Sequence, residues 1–169
     1  MAVEIQPLGA ERRAWVGHAL AGAWGTAEIG TRGRTHRADA LPGFVAVRDG
    51  QPVGLVTYTL DGDACEIVTL NSWMEGIGAG SALVDAVREA GRAAGSRRVW
   101  LITTNDNVSA LRFYQKRGFR LVAVHRGAVN EARALKPEIP LVGEQGIPIH
   151  DEIELELIIA PTPRAPGAV

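Results

Sequence analysis

A single cysteine in 169 residues, Cys65, excludes an internal disulfide and leaves too few thiols for a structural zinc cluster. Charge of one sign is missing as well. Eighteen basic residues meet nineteen acidic ones, and a net charge of -1 draws the chain neither to nucleic acid nor to an anionic membrane. No apolar run reaches the ~18 residues that a membrane span requires, and the opening MAVEIQPLGAERR has no basic stretch ahead of an apolar core. The expectation is a cytoplasmic chain with no membrane and no nucleic-acid partner. His36, His125 and His150 follow no metal-ligand spacing, so no metal site is expected and these residues read as surface or loop positions. Internal repeats are absent.

What is present is the composition of a globular protein, 46% hydrophobic and 22% charged, at the length of one domain. We take residues 1–159 as that domain and residues 160–169, with three prolines and no core residues, as a disordered tail. Residues 3–8 alternate as a short strand, and Trp15, Val16, Ala19, Leu20 and Ala23 share one helical face over 11–24, which makes Trp24 a core residue at its end. Residues 25–42, rich in Gly, Thr and Arg, read as an irregular or partly helical crossing. Asp49-Gly50 turns a hairpin between 44–47 and 53–60, and a second turn at 61–63 leads to a strand over 65–70. An amphipathic helix over 80–94 stops at Gly95, a strand follows at 98–103, Ser109 caps a short helix through Arg117, and 119–125 is the next strand. A helical piece lies within 126–138, a turn at 143–146, and a last strand at EIELELII. The order predicts an α+β (mixed α/β) fold.

Three glycines separate the third strand from the amphipathic helix in Glu75-Gly76-Ile77-Gly78-Ala79-Gly80-Ser81. Glycines let backbone N–H groups approach a ligand, and the following helix offers unpaired amides and its positive end to a phosphate. A dinucleotide fingerprint fails at Ser81 or Leu83, depending on where it starts, and a P-loop fails for want of Gly-Lys-Ser/Thr. On spacing alone, a turn that merely reverses the chain stays open. Thirty residues on, Asn107-Val108-Ser109-Ala110-Leu111-Arg112-Phe113-Tyr114-Gln115-Lys116-Arg117-Gly118-Phe119 forms a capped helix with Ala110 and Phe113 inward.

Together these segments resemble the GNAT superfamily of acetyl-CoA-dependent N-acetyltransferases, with its Q/R-x-x-G-x-G/A turn and its N-x-x-A-x-x-F-Y-x-x-x-G-F element. The resemblance implies a central, mostly antiparallel, splayed sheet flanked by helices, and acetyl-CoA as co-substrate. By position it assigns coenzyme contacts to Gly76, Ile77, Gly78, Ala79, Gly80 and Ser81, to the backbone of Val68 and Leu70, and to Asn107 and Ala110. Tyr114 would protonate the departing thiolate. Glu75 departs from the motif: it stands where the family has Gln or Arg, and a carboxylate beside a pyrophosphate is unfavourable, so it is expected to face solvent.

An ammonium must lose a proton to become a nucleophile, and Glu66 in CEIVTL is similar to the catalytic base of one branch of the superfamily; an ordered water or a structural role for Glu66 stays open. Glu152, Glu154 and Glu156 alternate with apolar neighbours and read as the wet face of an edge strand, with attraction of a cationic amine as the other reading. The acceptor is a small-molecule or peptide amine, with Trp24, Arg32 and Trp73 as candidate pocket residues beside the core reading of Trp24; the alternative function is a non-catalytic acyl-CoA-binding sensor, and the sequence leaves a homodimer open.

Overall fold

The computed structural model describes residues 2–160, without the side chain of Thr31. The tail from 161 onward therefore lies outside the described residues. Among them run β1 (Glu4–Pro7), α1 (Arg13–Trp24), β2 (Glu28–Thr31), β3 (Arg34–Arg37), β4 (Gly43–Arg48), β5 (Gln51–Asp61) and β6 (Ala64–Ser72). Then come α2 (Ala79–Ala93), β7 (Arg98–Thr104), α3 (Val108–Lys116), β8 (Arg120–His125), α4 (Ala128–Leu135) and β9 (Glu152–Ile158). Seven strands form one sheet in the order β1-β4-β5-β6-β7-β9-β8, and β2 with β3 forms a separate hairpin. Every pairing is antiparallel except β6 with β7. The fold is thus the expected α+β sheet.

Each face of the sheet buries one apolar set. On one, Leu83, Val84 and Val87 of α2 pack on Cys65, Ile67, Val99 and Leu101, and Tyr114 and Phe119 complete the cluster. Their spacing along α2 is the apolar stripe of a helix laid on a sheet, and each fully buried Leu or Val there contributes on the order of 1.5–3 kcal/mol. On the other face, Val16 and Leu20 of α1 pack with Leu55 and Val68.

Three expectations need correction. Residues 25–42 are not an irregular crossing: they hold the β2–β3 hairpin, whose tip places Arg32 at φ +48° and Gly33 at φ +73°, followed by a single 3-10 turn at Ala38–Ala40. Two consecutive positive φ values are what a tight two-residue hairpin requires, and Arg in the first position hid it. The cap of α3 is Asn107, whose side chain accepts the Ala110 N–H at 3.1 Å, and not Ser109, which lies inside the first turn. Finally, β9 is no edge strand, because β7 and β8 flank it.

Candidate functional site

The sheet splits at its centre. β6 pairs with β7 over Ala64–Arg98, Cys65–Val99 and Glu66–Trp100, and among the described residues their pairing ends there. Beyond it β6 continues to Ser72 along β5, and β7 continues to Thr104 along β9. Two strands that each keep only their outer partner leave inward backbone groups for a ligand that can pair as a strand would. Val68 stands at the mouth of the split. Opposite β5, Thr69 faces Thr57 and Ile67 faces Tyr58, so Val68 is the extra residue of a bulge and its backbone is left out of the ladder on that side. The hydroxyls of Thr57 and Thr69, both buried, are 2.7 Å apart and lock the register beside it.

The strand end leads directly into the glycine turn. Gly76 and Gly78 take φ of +75° and +79°, and the first helical bond of α2 runs from Ala82 N–H to the Gly78 carbonyl at 3.0 Å. The N–H groups of Ala79, Gly80 and Ser81 therefore lie ahead of the helical ladder at its positive end. Gly80 is buried against α3, where a methyl in its place would stand 3.1 Å from ring carbons of Phe113. Glu75, as expected, is exposed.

The two sequence motifs touch each other. Arg117 lies with its guanidinium 3.5 Å from the Phe113 ring centroid, donates to the Phe113 carbonyl at 2.7 Å and, through Nε, to the Ser81 hydroxyl at 2.9 Å. A second guanidinium nitrogen also reaches that hydroxyl. A fixed cation is thereby held at the start of α2 beside the glycine turn, where it favours an anion. In the sequence the one sign of this role for Arg117 is its spacing of four from Phe113. Asn107, its carbonyl oxygen occupied by the cap, keeps its amide nitrogen for other partners.

Leu70, Ile77, Ala79, Ala110 and Tyr114 all belong to or pack on the cluster beneath α2. Tyr114 is 6% exposed, with edge contacts to Phe113 and Phe119 at 5.0 and 5.3 Å, and burial raises its hydroxyl well above the ordinary value, so it remains protonated near neutrality. Glu66 belongs to the opposite face. The acid and base candidates are thus separated by the sheet, and the split is where that sheet opens.

Around Glu66 the structure gathers charge that the sequence had scattered. Glu66 is 3% exposed, its Oε2 is 3.6 Å from His36 Nε2, and it lines a cavity of about 310 Å³ with Trp100, Arg98, Arg32 and Thr59. If the 66–100 pairing were continued, Val68 would stand level with Ile102, whose partner across β7–β9 is Glu154. Glu154 is buried among Arg32 Nη1 at 3.4 Å, Arg98 Nη2 at 3.6 Å and His125 Nε2 at 3.4 Å. Glu152 is buried too, accepts the Arg32 N–H at 3.2 Å, and burial raises its carboxyl above the ordinary glutamate range. These carboxylates are therefore not the wet face of an edge strand: strand pairing on both sides and the β2–β3 tip cover them. His36 and His125 are correspondingly half-buried and not surface residues, whereas His150 is exposed beside Asp151.

Trp24 also differs from its expected place in the core. It is 49% exposed, bonds Asn71 Oδ1 at 3.1 Å and lines a groove of about 740 Å³ between the β2–β3 hairpin and α4. Cys65 is buried under α2, and burial, with the nearby Glu66 charge, pushes its thiol up to about 12. It is in the wrong form and on the wrong face for a nucleophile at this site. Among the described residues no group of three or more His, Cys, Asp or Glu is placed to hold a metal, and no helix is long and apolar enough to cross a membrane.

Residues 11–119, which hold the split strands, the glycine turn and α3, match the model of the acetyltransferase (GNAT) family. The chain belongs to that family. GNAT membership makes it an acyltransferase enzyme. YdhI of Bacillus subtilis (strain 168) is 50% identical over 137 residues, which span 80% of this chain and 86% of that protein. An IAA acetyltransferase from Bacillus cereus ATCC 14579 has the same fold, with a TM-score of 0.71 at 20% identity over 94% of this chain and 100% of that one. So does a GNAT family acetyltransferase from Elizabethkingia anophelis with acetyl-CoA bound, at a TM-score of 0.65 and 19% identity over 93% and 98%.

Proposed function

We propose that this GNAT enzyme, as one catalytic domain over residues 1–159, moves an acetyl group from acetyl-CoA to a primary amine by direct attack. The observation that carries the reading is the split between β6 and β7 with the Val68 bulge at its mouth. A pantetheine arm laid in the split pairs with backbone near Val68 and Leu70, and the Val68 N–H faces the acetyl oxygen as charge develops on it. Ile77, Asn107 and Ala110 border the arm, while the N–H groups from Gly76 to Ser81, with Arg117 behind them, receive the pyrophosphate.

Glu66 takes a proton from the acceptor ammonium, directly or through a water, and the freed nitrogen lone pair attacks the acetyl carbon. The C–N bond forms, the C–S bond breaks, and the departing thiolate takes the proton of the Tyr114 hydroxyl. The nitrogen releases its second proton as the amide forms. Tyr114 recovers its own from solvent and Glu66 gives its proton up there, so one proton is released per turnover. Tyr114 carries its proton at neutrality, as a donor must, and the support for its role is its place in the second motif, on α3 beside the glycine turn. The position of the two groups on opposite faces supports attack from one side and departure toward the other. Cys65, buried and protonated, offers no acyl-enzyme route.

Calorimetric titration with acetyl-CoA and with free coenzyme A, joined to thiol release across a panel of amines, tests the reading. Saturable binding with amine-dependent thiol release is expected. Absence of coenzyme binding would overturn it.

A further inference from the structure

The groove beside the site has its own chemistry. It lies between the β2–β3 hairpin and α4, on the face of the sheet that carries Glu66 and Val68. Ile29 lines the groove and also packs on the cluster that contains Val68, and Arg32 and Arg34 line both the groove and the cavity that holds Glu66. Its volume of about 740 Å³ falls within the range of small-molecule sites.

Its walls are mainly apolar. Trp24 keeps half of its surface open while its N–H is committed to Asn71, which fixes the ring as a flat wall. Leu135, 87% exposed, and Ile139 stand opposite on α4 and the segment after it. A rigid, exposed indole facing an exposed leucine is costly to leave in water and suits an apolar ligand body. The polar groups follow a different pattern. The lining cations already have partners: Arg34 faces Asp61 at 3.3 Å, Arg32 faces Glu154 at 3.4 Å, and Lys136 Nζ donates to the Glu28 carbonyl at 3.4 Å. Glu28, Glu131, Glu138 and Glu152 line the groove against Arg32, Arg34 and Lys136, and two of those cations face carboxylates outside it, so the surplus charge toward a ligand is negative. The Lys136 contact also ties α4 to β2 across the groove, which obstructs the continuous path that a polypeptide would need.

We infer that the acceptor is a small primary amine with an aromatic body, seated on Trp24, Ile29 and Leu135 with its amine end toward the adjoining cavity that holds Glu66. The inference rests on the transferase reading above and narrows its substrate class. Neither a polar diamine, which would leave the apolar walls without a partner, nor a peptide fits as well.

The test compares kcat/KM by thiol release for 2-phenylethylamine and tryptamine against putrescine, spermidine and a short peptide with a free N-terminus. It uses the full chain, Trp24→Ala and Leu135→Asp, whose sites are exposed enough for the fold to survive, with thermal melts as the check. The aryl-alkyl amines should be preferred by about tenfold or more, and both variants should raise their KM with little change in kcat and erase the preference. Preference for putrescine, spermidine or the peptide would overturn the inference and leave the transferase intact. Calorimetry of 2-phenylethylamine with protein saturated in coenzyme A separates the remaining cases. Binding that is lost in Trp24→Ala, without turnover of any amine, would sustain the groove assignment and sink the transferase reading. Absence of both binding and turnover of the aryl-alkyl amines would overturn the inference outright.

Discussion

Arg32 holds Glu154 from the tip of the β2–β3 hairpin, guanidinium to carboxylate at 3.4 Å, while its own backbone sits at φ +48°. A residue with a side chain costs about 1–2 kcal/mol in that conformation, and glycine does not. The strain is stored at the point where the hairpin meets the buried carboxylates.

Arg32→Gly and Arg32→Ala separate the two contributions. Both delete the guanidinium, but only glycine relieves the backbone, so Arg32→Gly should be about 1 kcal/mol more stable than Arg32→Ala by denaturant unfolding. Equal stability would mean that Arg32 does not hold a left-handed conformation in solution. Both variants should raise the KM for the acceptor.

Gly78 is the left-handed residue that starts α2, and a methyl placed on it would meet nothing within 4 Å. Gly78→Ala should therefore cost about 1 kcal/mol from backbone conformation alone, yet weaken coenzyme A binding about tenfold or more, because the open space is where the ligand approaches. Calorimetry reads the second effect and thermal unfolding the first. A variant that loses only stability would remove the glycine turn from the binding site.

Tyr114→Phe keeps the ring contacts with Phe113 and Phe119 and removes only the hydroxyl. Turnover should fall about 100-fold, while the dissociation constant of acetyl-CoA changes little. Equal losses in both would make Tyr114 a packing residue.

Glu152 carries a pH signature. Burial raises its carboxyl above the ordinary value of 4.5, so the folded chain binds that proton more tightly than the unfolded chain does. The stability it contributes is complete below the ordinary value and is lost as pH rises through the raised one. Glu152→Gln, still able to accept the Arg32 N–H, does not lose it. The wild type should therefore weaken relative to Glu152→Gln as pH rises from about 4 toward neutrality. Parallel pH profiles of the two proteins would contradict the buried placement of Glu152.

The elements with strong local signals were legible. The apolar spacing of Leu83, Val84 and Val87 announced α2, Asp49-Gly50 announced its hairpin, and the separation of the glycine turn from Asn107 through Phe119 announced the family. The β2–β3 hairpin was not, because its turn carries Arg where Asn or Asp would signal positive φ. The alternation of Glu152, Glu154 and Glu156 carries the period and not the surroundings: period two says that three carboxylates share a face, not whether that face is wet.

By itself, then, the sequence determined what depends on neighbours along the chain: helix faces, turns, and the motifs that mark the family. The tertiary structure alone decided where β6 and β7 part, that Val68 is the residue left over, and that Glu66, Glu154, Arg32, His36 and His125 converge on one face. The reason is physical. Turns and helices are fixed by interactions a few residues apart, whereas the burial and charge of a carboxylate are set by partners as far away as Arg32 is from Glu154, 122 residues along the chain.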